Sequence, residues 1–248
     1  MKFLIDIDGT LILKDRAINS SPGFIRYLDE NSNKYLLGTN SIKSPEEQKS
    51  RLGSIGVSID EESIHGPIRV INEYIRQKGI KRVFIAGSES EIEQVEACHT
   101  QKDPQLAILL DFEKKNFCFE DLQAIYDLMQ KGIPAVSASH SPYYFGRGRK
   151  LLDTGAFARL FEEASGRKIP VFGKPSPCFF NMAKKRLGDS LWVIGDDCRT
   201  DIAGAKKAGL NTILIRSGKY CKGDENLCDP DMVIDDLMEL VPVLGRMG

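Results

Sequence analysis

The sequence predicts an α/β protein, a doubly wound parallel-sheet core with a second α/β domain inserted into it. Three observations lead there. Short apolar runs alternate with helical patterns along the 248-residue chain, as parallel strands joined by helical crossovers do. The segments richest in chemistry-bearing side chains cluster in 1–45 and 170–220. Between them lie some 100 residues with an alternation of their own, enough for an inserted domain. The expected division is a core of 1–66 and 168–248 around an insertion of 67–167.

The elements follow in order. Phe3-Leu4-Ile5 is a strand. A helix over 22–31 follows, with Ser21 placed to accept from its free N–H groups and Pro22 suited to the first helical position. Lys34-Tyr35-Leu36-Leu37 is the next strand, and Pro45 starts a helix that Gly53 ends. Strands at 82–86, 106–110 and 134–138 alternate with helices at 89–98, 120–131 and 155–164. A helix over 177–187 leads to the strand Leu191-Trp192-Val193-Ile194, then to a helix over 200–208 closed by Gly209. The strand Thr212-Ile213-Leu214-Ile215 and a last helix over 236–244 complete the chain.

Composition excludes some functions. A formal net charge of -1 argues against nucleic-acid binding by bulk phosphate attraction. No apolar run approaches the roughly 20 residues of a membrane span. The N-terminus opens directly on a strand-like run with no charged-then-apolar leader, so a cytoplasmic location is expected. The six cysteines are scattered and none forms a C-x-x-C pair, which argues against zinc and for reduced thiols.

Four segments carry chemistry. In Asp6-Ile7-Asp8-Gly9-Thr10, residues i and i+2 of a strand point to one side, so both carboxylates can face one ligand. Carboxylates that close repel unless a cation lies beside them. Gly38-Thr39-Asn40-Ser41 also ends a strand and offers donors for phosphate oxygens, although read alone it serves equally as a turn or helix cap. Gly173-Lys174-Pro175 places a lysine where it could neutralise a phosphoryl group, or where it is simply a surface lysine. Gly195-Asp196-Asp197-Cys198-Arg199-Thr200-Asp201 follows a strand and precedes a helix with small residues at Ala203, Gly204 and Ala205. Its carboxylates, joined to Asp6 and Asp8, would make an all-oxygen site suited to Mg²⁺. The alternative is that Thr200 or Asp201 caps the helix.

In order, spacing and position, the four segments together resemble the haloacid-dehalogenase-like hydrolases. Within them the chain is similar to the NagD/p-nitrophenyl phosphatase branch, whose α/β cap is inserted between the second and third motifs. The resemblance implies a Rossmann-like core and a phosphatase forming an aspartyl-phosphate. Asp6 would be the nucleophile and Asp8 the acid/base. Thr39 and Lys174 would hold phosphate oxygens, with Asn40 helping. Mg²⁺ would be bound by Asp6, by the backbone carbonyl of Asp8 and by Asp196, with Asp201 and Asp197 orienting that shell. In place of the Asn/Asp pair relatives carry after a cap strand stands Ser139-His140-Ser141-Pro142-Tyr143-Tyr144. That makes His140 a candidate reader of the leaving group, against a plain surface histidine. The basic run Arg147-Gly148-Arg149-Lys150 reads more naturally as a solvated loop.

The expected partner is a small phosphorylated metabolite, with no nucleic acid and no membrane, and a cap surface is a plausible homodimer contact. A phosphotransferase or mutase, or a non-catalytic phospho-ligand-binding relative, are the alternatives. The last would be expected to have lost Asp6, Asp8 or Lys174, and all are present.

Overall fold

The computed structural model describes residues 1–112, 118–146 and 149–245; Arg147 and Gly148 of the basic run lie outside them. The chain resolves into two compact units. One comprises Met1–Thr39, Pro45–His65 and Lys174–Gly248; the other comprises Asn40–Ser44 and Gly66–Gly173.

The first unit is built on a parallel sheet of six strands. Their order is Met232–Ile234, Asn211–Ile215, Leu191–Gly195, Lys2–Asp6, Lys34–Gly38 and Ile64–His65. Chain order reverses at Lys2–Asp6, which lies between Leu191–Gly195 and Lys34–Gly38. Ligands bind outside the carboxyl ends of parallel strands at such a reversal. Phe3, Leu4 and Ile5 are all buried, as expected of a strand covered on both faces. Phe3 and Ile5 pack with Phe24, Leu37 and Ile194 in one cluster. Leu4 approaches Gly38, which in turn lies against Phe179 of the helix Pro177–Leu187.

The helix Ser21–Glu30 buries Phe24, Ile25 and Leu28, a single stripe at helical spacing. Its cap differs from expectation. Ser20 occupies the N-cap, and the Ser21 hydroxyl instead donates to the Leu11 carbonyl at 2.8 Å.

The second unit holds a parallel sheet ordered Cys98–His99, Arg82–Ala86, Leu106–Leu109 and Ala135–Ser137. The helices Phe119–Gln130 and Thr154–Ser165 bury Ile125, Met129, Ala158 and Phe161 in its core. Residues 168–173 group with this unit, because Ser137 donates to Pro170 and accepts from Phe172, each at 2.9 Å.

Three local expectations are corrected. The helix expected over 89–98 ends at Ile92, since Cys98 is drawn into an edge strand by its N–H bond to Lys81. The alternation above omits the helix Pro67–Lys78, despite Pro67 in its first turn and Gly79 closing it at φ 63°. The segment expected as a helix over 200–208 starts earlier, as a π-helical turn Cys198–Ile202 that runs into Ala203–Lys207. Among the described residues, no helix is long and apolar enough to cross a membrane.

Candidate active site

Asp6 closes the central strand and is 7% exposed. Its Oδ1 lies 2.5 Å from the Lys174 ammonium. Lys174 also sits 2.6 Å from Asp201 Oδ1 and donates to the Gly38 carbonyl at 3.4 Å. Asp196 follows the neighbouring strand, and one oxygen each of Asp6, Asp196 and Asp201 lie within 4.8 Å of one another. All three carboxylates and Lys174 are buried.

The electrostatics of this cluster are lopsided. Among the described residues one ammonium lies against this group of three carboxylates, which leaves two negative charges in excess when all three are ionised. Burial pushes Asp6 well above the usual carboxylate range, and the charges of Asp201 and Asp196 add to this against the pull of Lys174. Asp196 is raised to about 6, first by burial and then by Asp201. Burial alone would lower Lys174, but Asp201 and Asp6 hold it charged well above its ordinary range.

Asp201 reaches this cluster because Asp197 takes over the helix cap. The Asp197 carboxylate accepts from the N–H groups of Arg199 and Thr200 at 2.9 and 3.2 Å. Neither Thr200 nor Asp201 is the cap residue, and Asp201 is turned inward instead. Burial acts upward on Asp197, but Lys219, 3.1 Å away, and those two N–H groups hold it below its ordinary value.

A loop overlooked in the sequence completes the frame. The N–H of Lys219 donates to Asp196 Oδ2 at 2.6 Å, and the Ser217 hydroxyl donates to the Gly9 carbonyl at 2.6 Å. Asn19 braces the same loop through Ser217, at 2.8 Å. Gly9 and Gly218 have φ of 104° and 53°, and a Cβ on either would overlap the Asp196 carboxylate. Both positions need glycine for conformation and for space. Ser217-Gly218-Lys219 lies just past Asn211–Ile215, so the strand-end rule that found the other motifs could have found this one.

The remaining candidates are placed as follows. Thr39, one residue beyond the register partner of Asp6, is buried, and its N–H donates to the His65 carbonyl at 3.1 Å. Asp8 is exposed, and its Oδ1 lies 2.6 Å from Arg51 Nη1. Asp6 and Asp8 therefore do not share one pocket through their side chains: the strand ends at Asp6, so the alternation that would align them stops there. Asn40 and His140 belong to the second unit. The His140 ring lies 3.3 Å from Arg159 Nη2, which also donates to the His140 carbonyl at 3.2 Å.

The cluster fits a divalent cation. Asp6 Oδ2 is buried without a hydrogen-bond partner among the described residues, an expensive state for a carboxylate oxygen. The donors are all oxygens, which suits Mg²⁺.

Comparison with known proteins shows the family and the fold. Residues 3–101 match the family model described as haloacid dehalogenase-like hydrolase, and residues 171–240 match the HAD-hydrolase-like model. The Xenopus laevis phospholysine phosphohistidine inorganic pyrophosphate phosphatase is 31% identical over 193 residues, which cover 75% of this chain and 68% of that protein. The chain belongs to the haloacid dehalogenase-like hydrolases. Two solved structures share its fold. The 4-nitrophenylphosphatase of Thermotoga maritima superposes with a TM-score of 0.87 at 24% identity, covering 97% of this chain and 96% of that one. The Mycobacterium tuberculosis glycerol phosphate phosphatase in complex with magnesium gives 0.84 at 23% identity, covering 96% and 75%.

Proposed function

We propose that this hydrolase is a Mg²⁺-dependent phosphatase acting on small phosphomonoesters through an aspartyl-phosphate on Asp6. The observation that carries the reading is the state of Asp6. It is a buried carboxylate at the switch point of the sheet, with one oxygen on Lys174 and the other without a hydrogen-bond partner among the described residues. Similar proteins named as nitrophenyl-phosphate and glycerol-phosphate phosphatases support the phosphomonoester class, and the relative named for phospholysine supports phosphoryl hydrolysis more broadly.

The chemistry follows from the residues. Asp6 attacks phosphorus in line, an Asp6 O–P bond forms, and the bond from phosphorus to the alcohol oxygen breaks. Asp8 gives its proton to that departing oxygen. Asp8 then takes a proton from water as the water attacks phosphorus, and Asp6 is released as the carboxylate. Lys174 and Thr39 hold phosphate oxygens, with Asn40 helping. Asp6, Asp196 and the Asp8 carbonyl would hold Mg²⁺, with Asp201 and Asp197 orienting them. When bound, the ion offsets charge on the transferring group. The second unit is assigned substrate choice, with His140 as its candidate side chain.

The test is hydrolysis of p-nitrophenyl phosphate with Mg²⁺. Asp6→Asn should abolish turnover while circular dichroism and melting show a folded protein. Retained turnover in a folded Asp6→Asn protein would sink the assignment.

A further inference from the structure

Asp6 and Asp8 lie two residues apart, yet their carboxylates part company: Asp6 is buried on Lys174 and Asp8 is half exposed on Arg51. Arg51 comes from the helix Pro45–Gly53 of the same unit. Gln48 and Leu52 on that helix are fully buried, so the base of the arginine is anchored. The Arg51 side chain is 22% exposed, and its Nε lies 3.5 Å from Asp15. The guanidinium thus spans two carboxylates outside the cluster.

We propose that Arg51 is the positioning residue of the acid/base group, holding the Asp8 carboxylate apart from the metal-binding carboxylates and ready for the leaving oxygen. The inference rests on the reading of Asp8 above. Arg51 touches no reacting atom; it acts by fixing where Asp8 delivers its proton as the phosphorus–oxygen bond breaks. Its removal should therefore matter most where the leaving group most needs that proton. Phenol is a more basic leaving group than p-nitrophenol, so phenyl phosphate needs it more.

The experiment compares kcat and KM on phenyl phosphate and p-nitrophenyl phosphate for the wild type, Arg51→Met, Arg51→Lys, Asp8→Asn and the double variant Arg51→Met/Asp8→Asn. Asp8→Asn tests the acid reading itself: equal losses of kcat/KM, which reports the step in which the alcohol departs, on the two esters would overturn that reading. If Asp8→Asn is selective, Arg51→Met should lower kcat/KM at least about tenfold more on phenyl phosphate than on p-nitrophenyl phosphate, as loss of a well-placed acid–base group does. Arg51→Lys should recover part of the loss, and in the Asp8→Asn background Arg51→Met should have no further effect. Equal losses of kcat/KM on both esters in Arg51→Met, unchanged kcat/KM, or full additivity with Asp8→Asn would each overturn the positioning role. If Arg51→Met does not fold, as judged by circular dichroism, the lysine variant decides: a selective partial loss supports the role, and an equal loss or none overturns it.

Discussion

Two ion pairs of nearly equal length lie at opposite ends of one three-residue stretch, and they are different objects. Lys174 and Asp6 approach to 2.5 Å with side chains 5% and 9% exposed. Arg51 and Asp8 approach to 2.6 Å with side chains 22% and 47% exposed. Distance does not separate them, but burial does. The inner pair has lost its water, so removing one member leaves an uncompensated buried charge. The outer pair keeps part of its water and adds little to stability. One end of the motif is thus a buried electrostatic frame, and the other lies partly in solvent.

The largest expected effects fall on the inner pair. Lys174→Met removes the ammonium that lies against Asp6 and Asp201 and should lower kcat at least about a thousandfold, as loss of an essential catalytic group does. Breaking a buried pair also costs about 3–5 kcal/mol, so the metal-free variant should melt below the wild type in calorimetry. Equal melting temperatures would show that the cluster is not electrostatically frustrated.

The next effect concerns protons and metal. Asp196 is raised to about 6 in the fold, against about 3.9 in an unfolded chain. The folded state therefore holds the proton more tightly, and this group's contribution is greatest below about pH 4 and lost as pH rises through about 6. Asp6 is shifted in the same direction. Metal-free protein should accordingly lose stability across that window. Because Mg²⁺ favours the charged carboxylates, the rise in Tm on adding it should be larger at about pH 7.5 than at about pH 5. A Mg²⁺ increment independent of pH would contradict this.

A smaller effect is expected at Gly218. An alanine there must crowd Asp196 and adopt a positive φ. Affinity for Mg²⁺ should fall about 10–100-fold, the usual consequence of disturbing the groups behind a metal ligand, and titration calorimetry would read it. Smallest of all, Arg51→Met should change stability by less than about 1 kcal/mol in a urea melt. Any larger loss would mean that the outer pair supports the fold.

Much of this frame was legible in the sequence, for a physical reason. Asp6, Thr39 and Asp196 each follow a hydrophobic strand, and the carboxyl ends of adjacent parallel strands converge whatever the packing details. Lys174 carries no such strand signal in its own neighbourhood and became meaningful only beside the other motifs. Asp201 was harder. Asp197, Thr200 and Asp201 all stand near a helix start, and which one caps depends on the π-helical turn Cys198–Ile202, which has no simple sequence pattern. Arg51 was out of reach, because it lies on a polar helix surface and its partner is far along the chain. The helix Pro67–Lys78 was a different matter: Pro67, Gly79 and buried Ile68, Ile71 and Ile75 at helical spacing make it readable.

The proposed reaction depends on Asp6 carrying the phosphoryl group. Acid-quenched enzyme at steady state with p-nitrophenyl phosphate and Mg²⁺ can be reduced with borohydride, which converts an aspartyl-phosphate to homoserine, and then mapped by peptide mass spectrometry. Homoserine at position 6, absent without substrate, is the expected result. Turnover with the label at another residue, or with position 6 unmodified under conditions where the intermediate accumulates, would contradict it.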